Sequence, residues 1–307
     1  MGYIIGVDGG GTKTKASAYS LDDKEIGKGQ SGFGNLLLDF DKAVNNIIEA
    51  VERCKSSIKE QFAQEECLCI YLGIAGIEAD SNIEKIETLL KEKFHCKVNA
   101  FHDSELAHAA MLKGQDGIIT ISGTGSVCYG IYKGKKERTG GWGHILGDEG
   151  SGYYIALEAF KRAALEEDLG SDRSELTIEI MSKLKLDNVN EVKGFIYSAT
   201  KGEIAAYVPV VAKLAEATEV NSVNILRAAG KDLAVMTERN YKKLGIDGSV
   251  KVALKGGVLC KVAMVRQEFI NCIERDLGSL VDIIVEDISS TKGACYLHRR
   301  KEEEVCI

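Results

Sequence analysis

The stretch GVDGGGTKT, residues 6–14, sets an aspartate and three consecutive glycines ahead of a threonine and a lysine. Those residue types in that order suit phosphate and a metal ion. Glycine backbone can turn successive N–H groups inward, at angles other residues resist, as an anion nest, and the Thr12 hydroxyl adds a donor at its rim. Asp8 alone would repel phosphate. Its place beside Gly9, Gly10 and Gly11 makes sense when Mg²⁺ stands between carboxylate and phosphate oxygens with part of its water shell retained. A tight hairpin with an aspartate next to the turn would look the same, and this stretch by itself does not separate the two.

The residues that follow decide what kind of loop this is. A P-loop needs lysine directly after its last glycine and then a helix, whereas here Thr12 intervenes and TKTKASAYS alternates with a period of two. The pattern predicts a β-hairpin, with strands over 3–8 and 13–20 joined by Gly9, Gly10 and Gly11. Residues 117–134, GIITISGTGSVCYGIYKG, repeat the grammar with Thr124 and Gly125 in the turn, about 110 residues further on. A device used twice, each time leading a run of α/β structure, implies an internal duplication with two lobes facing a nucleotide.

The elements that position these turns follow from periodicity. Between the hairpins a helix is expected over 39–62, a strand over 67–74, a helix over 82–94, a strand over 97–102 and a helix over 104–113. Asp103 then lies at a strand's carboxyl end, where open α/β sheets bind ligands, although aspartate is also a common helix N-cap. Residues 140–152, GGWGHILGDEGSG, hold six glycines, the chain's one tryptophan and two carboxylates. Glycine at that density weakens a merely structural segment, and an aromatic plane beside carboxylates suits a sugar; a mobile connection with a packing tryptophan is the plainer reading. Helices are expected over 151–168, 174–186, 203–218 with Pro209 inside, and 222–244. A strand at 251–254 runs into Gly256 and Gly257 and a helix to about 275; the glycine pair fits either a nucleoside lying flat or a close-packed strand-to-helix junction. A strand at 281–286 and a helix at 291–304 end the chain.

Composition bounds the rest. With 307 residues, 45% apolar, and a net charge of −7, the chain is long enough for a sizeable core divided between two lobes, and too acidic for a nucleic-acid surface. No apolar run approaches the roughly 18 residues that span a membrane, and the N-terminus lacks a signal peptide's basic region, so a cytoplasmic protein without a membrane partner is expected. Nine cysteines, at 54, 67, 69, 96, 128, 260, 272, 295 and 306, form no CxxC pair and read as reduced, mostly buried side chains.

Taken together, the motifs resemble the sugar-kinase, Hsp70 and actin superfamily, and within it the BadF/BadG/BcrA/BcrD family that includes N-acetylglucosamine kinases. GVDGGGTKT resembles the family's first phosphate motif, ISGTGS its second, FHDSELAHAA the connecting segment, LKGGVL the adenosine motif and GGWGHILGDEGSGYYIA the sugar loop. The resemblance implies an α/β fold of duplicated RNase H-like, actin-like ATPase domains, two lobes around a nucleotide cleft. Residues 1–115 with 290–307 would form one lobe, and 116–289 the other with a helical insertion. It implies ATP and Mg²⁺ as cofactors, an amino sugar as substrate and a homodimer as the assembly. Residue by residue, it makes Asp103 the catalytic base and Asp8 the metal anchor. Gly10, Gly11, Thr12, Thr124, Gly125, Ala205, Gly256, Gly257 and Lys261 become nucleotide contacts, and Asn35, Asp103, Gly141, Trp142, Gly143 and Asp148 sugar contacts. The implied reaction is phosphorylation of the 6-hydroxyl of N-acetylglucosamine. Glucosamine, N-acetylmuramic acid, or an ATPase role as activator of a 2-hydroxyacyl-CoA dehydratase are the alternatives; the last would need an iron–sulfur cysteine pair in a glycine-rich loop, which the sequence does not supply.

Overall fold

The computed structural model describes residues 2–62, 64–77 and 80–305, so Cys306 lies outside the described residues. Its internal contacts divide the chain into two units, Met1–Asp116 with Ile288–Ile307, and Gly117–Asp287.

The first unit opens with β1 (Gly2–Gly9), β2 (Thr14–Ser20) and β3 (Glu25–Ser31), followed by α1 (Phe40–Ser56), β4 (Glu66–Ile74), α2 (Asp80–Phe94), β5 (Lys97–His102) and α3 (Asp103–Met111). They form one sheet in the order β3-β2-β1-β4-β5, antiparallel across β1–β3 and parallel across β1, β4 and β5. Strand β1 is central and pairs on both sides, which is why its residues Tyr3, Ile4, Ile5 and Val7 are buried apolar side chains rather than an alternating set.

The second unit repeats this plan. Strands β6 (Gly117–Ser122), β7 (Ser126–Tyr132) and β8 (Lys135–Gly140) precede helices α4 (Gly152–Leu169), α5 (Glu175–Leu184), α6 (Val192–Ser198), α7 (Lys201–Ala205), α8 (Val208–Glu216) and α9 (Val220–Leu244). Then come β9 (Val250–Lys255), α10 (Gly257–Lys261), α11 (Ala263–Leu277) and β10 (Val281–Val285). The sheet order is β10-β9-β6-β7-β8, with β6 antiparallel to β7 and parallel to β9, so each strand of the first sheet has a counterpart in the second. One continuous core runs from Ile118, Val252 and Leu254 on the sheet to Leu233 of α9 and Phe269 of α11. The chain returns to the first unit as α12 (Gly293–Val305), which packs with α3 through Leu106, Ala294 and Cys295, while the opposite face of that sheet carries α1 and α2 through Val44, Ile47, Ile86 and Leu90. Among the described residues, no helix is long and apolar enough to cross a membrane.

Both hairpins form as the alternation predicts, and neither turn opens into a helix. Several expectations are corrected, among them the helix expected to run to about 275, which breaks at Val262 into α10 and α11. The helix expected over 39–62 stops at Ser56. Ser57 leaves it because its hydroxyl donates to Lys28 O and accepts from Lys28 N–H, both at 2.7 Å, tying the chain to β3. The helix expected over 203–218 is two helices, because Pro209 has no N–H to continue α7 and instead occupies the first turn of α8. Strands β3 and β8 were not anticipated, since EIGKGQS and KKERTG are charged and glycine-rich, as edge strands commonly are. Of the cysteines described, Cys54, Cys69, Cys128, Cys272 and Cys295 are buried, in line with the small-side-chain reading.

The join between α4 and α5 rests on a buried carboxylate. Glu166, 1% exposed, accepts from Arg162 Nε at 2.8 Å and from Ser174 N–H at 3.0 Å. Burial would raise its pKa, but the Ser174 N–H, the Thr177 hydroxyl and Arg162 together hold it below the ordinary 4.5. A carboxylate held low in the folded state stabilises above its unfolded pKa and loses that contribution as pH falls through its depressed folded value. Replacing Glu166 with Gln should therefore cost about 2 kcal/mol at pH 7 and flatten the acid limb of stability against pH, measured by urea unfolding from pH 7 to 3.

Candidate functional site

In the first unit, strand register gathers the candidate residues at one edge. Gly9 pairs with Ile74, and Ile74 with His102, so β1, β4 and β5 end in one row across the sheet. Asp8 sits one residue before that row and Asp103 one residue after it, two strands away, a separation of about 10 Å at ordinary strand spacing. Both carboxylates are half-buried. Asp103 is the first residue of α3, and its Oδ1 accepts from the N–H of Ser104 at 2.7 Å. Asn35 joins the same edge: its Oδ1 accepts from Leu37 N–H at 2.9 Å, and Leu36 N–H donates to Ala75 O at 3.2 Å.

The turns work differently from the sequence expectation. Gly9, Gly10, Gly11, Gly123 and Gly125 all have negative φ, so the nest expected at the first turn does not form, and the second turn has none either. What orients the amides is the other side of each peptide. In the first turn the Gly9 carbonyl accepts from Ala75 N–H at 2.8 Å and the Gly10 carbonyl from Gly34 N–H at 2.9 Å. In the second, the Gly123 carbonyl accepts from Gly152 N–H at 2.7 Å and the Thr124 carbonyl from Tyr153 N–H at 3.3 Å. A trans peptide points its N–H opposite its C=O, so fixing these carbonyls on one side sends the N–H groups of Gly11, Thr124 and Gly125 to the other. Thr12 and Thr124 are exposed on their turns.

A cavity of about 620 Å³ in the second unit begins at this second turn. Gly123, Thr124, Gly152, Ala205, Gly257 and Lys261 line it, so four residues expected to hold nucleotide, Thr124, Ala205, Gly257 and Lys261, surround one space. Its apolar wall is Val208, Pro209, Ala212, Val258 and Val262, and Lys213 and Glu216 add charge. The size and the mixture of a flat apolar wall with a few polar groups suit a nucleoside. Sequence reasoning missed the α8 residues, whose small apolar side chains carry no signal distinguishable from core.

The glycines divide by what the chain itself requires. Gly256 has φ +94°, and a Cβ there would lie 2.3 Å from Ser122 O, so packing of β9 against β6 demands it whatever binds. At Gly11, Gly123 and Gly257 a Cβ would meet nothing within 4 Å. Residues 140–152 are more structural than their composition suggests: Gly140, Gly141, Gly143 and Gly150 take positive φ, and a Cβ on Gly150 would lie 2.5 Å from Leu233 of α9. Trp142 is two-thirds exposed beneath the Arg138 guanidinium, and His144 packs edge-on against Tyr153. Asp148 is held inside the second unit: 3% exposed, it accepts from Ser126 N–H at 3.1 Å and from Lys201 Nζ at 2.5 Å.

Two sheets of the same strand order, each led by a hairpin, are the duplicated actin-like ATPase fold, and a candidate N-acetylglucosamine kinase of Chromobacterium violaceum shares it with a TM-score of 0.78, at 23% identity over 97% of this chain and 99% of that one. The chain belongs to the BadF/BadG/BcrA/BcrD ATPase family, whose sequence profile it matches over residues 5–295. It is 34% identical to the N-acetylmuramic acid/N-acetylglucosamine kinase of Clostridium acetobutylicum over 279 residues, 88% of this chain and 89% of that protein. It is 27% identical to the N-acetyl-D-glucosamine kinase of Dictyostelium discoideum, over 82% and 83% of the two.

The contrast among glycines gives a direct test. Gly11→Ala and Gly123→Ala should leave stability unchanged or raise it by up to about 1 kcal/mol, yet lower kcat/KM for ATP by about tenfold to a hundredfold, because the methyl enters the space beside the turn amides. Gly256→Ala should instead destabilise by more than about 1 kcal/mol. Thermal melts and coupled ADP assays on the three variants separate the two effects.

Proposed function

We propose that this protein transfers the terminal phosphoryl group of ATP to the 6-hydroxyl of an N-acetylated amino sugar, N-acetylglucosamine first. The observation that carries the reading is the cavity in which Thr124, Ala205, Gly257 and Lys261 meet, in a chain one-third identical to an amino sugar kinase. That relative's name covers N-acetylmuramic acid as well, which favours this sugar as a second acceptor.

In this reading the nucleoside lies against Val208, Pro209, Val258 and Val262, and the turn amides of Gly11, Thr124 and Gly125 with the hydroxyls of Thr12 and Thr124 hold phosphate oxygens. Among the described residues, no cluster of three or more histidines, cysteines or carboxylates is set to hold a metal by itself. One carboxylate beside a phosphate turn is what Mg²⁺ needs when it arrives with a nucleotide, and Asp8 is the residue that would hold it. When bound, the ion offsets the charge gathering on the phosphate oxygens. Asn35, with Gly141, Trp142 and Gly143, supplies the proposed sugar contacts, whereas Asp148, buried with its oxygens engaged by Ser126 N–H and Lys201, would act on the sugar side only through the loop that it holds.

Asp103 is the proposed base. As the sugar O6 bonds to the γ-phosphorus and the bond to the bridging oxygen of ADP breaks, the hydroxyl proton passes to the Asp103 carboxylate. Such a base contributes about 10²- to 10⁴-fold, and positioning of the donor and acceptor supplies much of the rest. Asp103→Asn should lower kcat by about a thousandfold while sugar affinity changes little, read by coupled assay and calorimetry. Turnover within tenfold of wild type would contradict the assignment. On the wild-type enzyme, N-acetylglucosamine and N-acetylmuramic acid should both be phosphorylated faster than glucosamine; a preference for glucosamine would contradict the substrate assignment.

A further inference from the structure

Lys201 begins α7, within the helical tract, and the sequence gives no reason to single it out. The structure brings its ammonium to the second turn. A Cβ built on Gly125 would lie 2.8 Å from Lys201 Nζ and 3.0 Å from Asp148 Oδ2, so the ammonium and the buried carboxylate stand together against the turn backbone. The next residue, Gly202, lines the nucleotide cavity, as does Thr124 on the other side. A nucleotide whose base and ribose fill that cavity runs its phosphates past Thr124 toward Gly125, and the charge waiting there is Lys201.

The ion pair is built rather than incidental. Asp148 is 3% exposed and sits at φ +64°, a left-handed backbone that non-glycine residues seldom adopt. Its Oδ1 is taken by Ser126 N–H and its Oδ2 by Lys201 Nζ at 2.5 Å. The Lys201 side chain is 31% exposed, and an ammonium has three donors, of which the Asp148 contact uses one. Asp148 therefore fixes the position of a cation that keeps donors for a second anionic partner.

We infer that Lys201 is the cation that contacts the terminal phosphoryl group of ATP, with Asp148 as the residue that positions it. This rests on the cavity being the nucleotide site. During transfer the ammonium stabilises the negative charge on the oxygens of the migrating phosphoryl; no bond to Lys201 forms and its proton stays in place. If Lys201 instead only pins the glycine-rich loop through Asp148, the nucleotide's third phosphate would not matter to it.

Nucleotide affinities distinguish these. Dissociation constants for MgADP and for Mg²⁺ with a non-hydrolysable ATP analogue are measured by calorimetry on wild type, Lys201→Met and Lys201→Gln. The glutamine can still donate to Asp148, so that variant keeps the loop tied while removing the charge. Both variants should bind the triphosphate about tenfold more weakly, with MgADP affinity within twofold of wild type. Equal weakening of both nucleotides, or no change in Lys201→Gln, overturns the inference. Failure of wild type to bind either nucleotide would instead count against the nucleotide reading of the cavity.

Discussion

The structure depends on carbonyl groups that are held on one side so that amides face the other. In each unit the first strand is paired on both edges, antiparallel to its successor and parallel to the strand after the crossover, and this double pairing fixes where the turn begins. The next segments then capture the turn's carbonyls. Ala75 and Gly34 do this in the first unit, and Gly152 and Tyr153, the first residues of α4, in the second. Peptide planarity converts those inward hydrogen bonds into outward donors. The strained backbone of an anion nest is not required, which leaves glycine to serve mainly by having no side chain.

The same economy explains why the glycine-rich segment 140–152 matters beyond its own residues. It carries Asp148 back beneath the second turn, donates through Gly152, with Tyr153 just after it, to that turn's carbonyls, and receives the hydroxyls of Ser122 and Ser126 on its own carbonyls at Gly150 and Glu149, each at 2.8 Å. A loop whose composition suits a sugar is thus also the scaffold of the second turn. Trp142 and Gly143 thus connect to Thr124 through a hydrogen-bonded segment.

Much of this was legible in the sequence where period and punctuation agree. The alternation after Gly11 and after Gly125 gave the hairpins, and the repeat of that grammar gave the duplication that the two strand orders display. Edge strands β3 and β8 were hidden by lysine and glycine, which reflect solvent exposure rather than pairing. The end of α1 was hidden because Ser57 is drawn off by a tertiary hydrogen bond to β3 that no local pattern encodes. Ala205 and Lys261 came from family resemblance alone, since residue type says nothing about them, and the structure lines one cavity with both. Lys201 went unseen because a lysine in a helical tract is ordinary until its distance to Asp148 is known.

The central claim is that both turns present amides to the same class of ligand, a polyphosphate. Residue-resolved hydrogen exchange by NMR, with and without a non-hydrolysable MgATP analogue, tests it most directly. The account predicts slowed exchange at the amides of Gly11, Thr124 and Gly125 together. Protection confined to one turn, or absent from both while the nucleotide is bound, would contradict it.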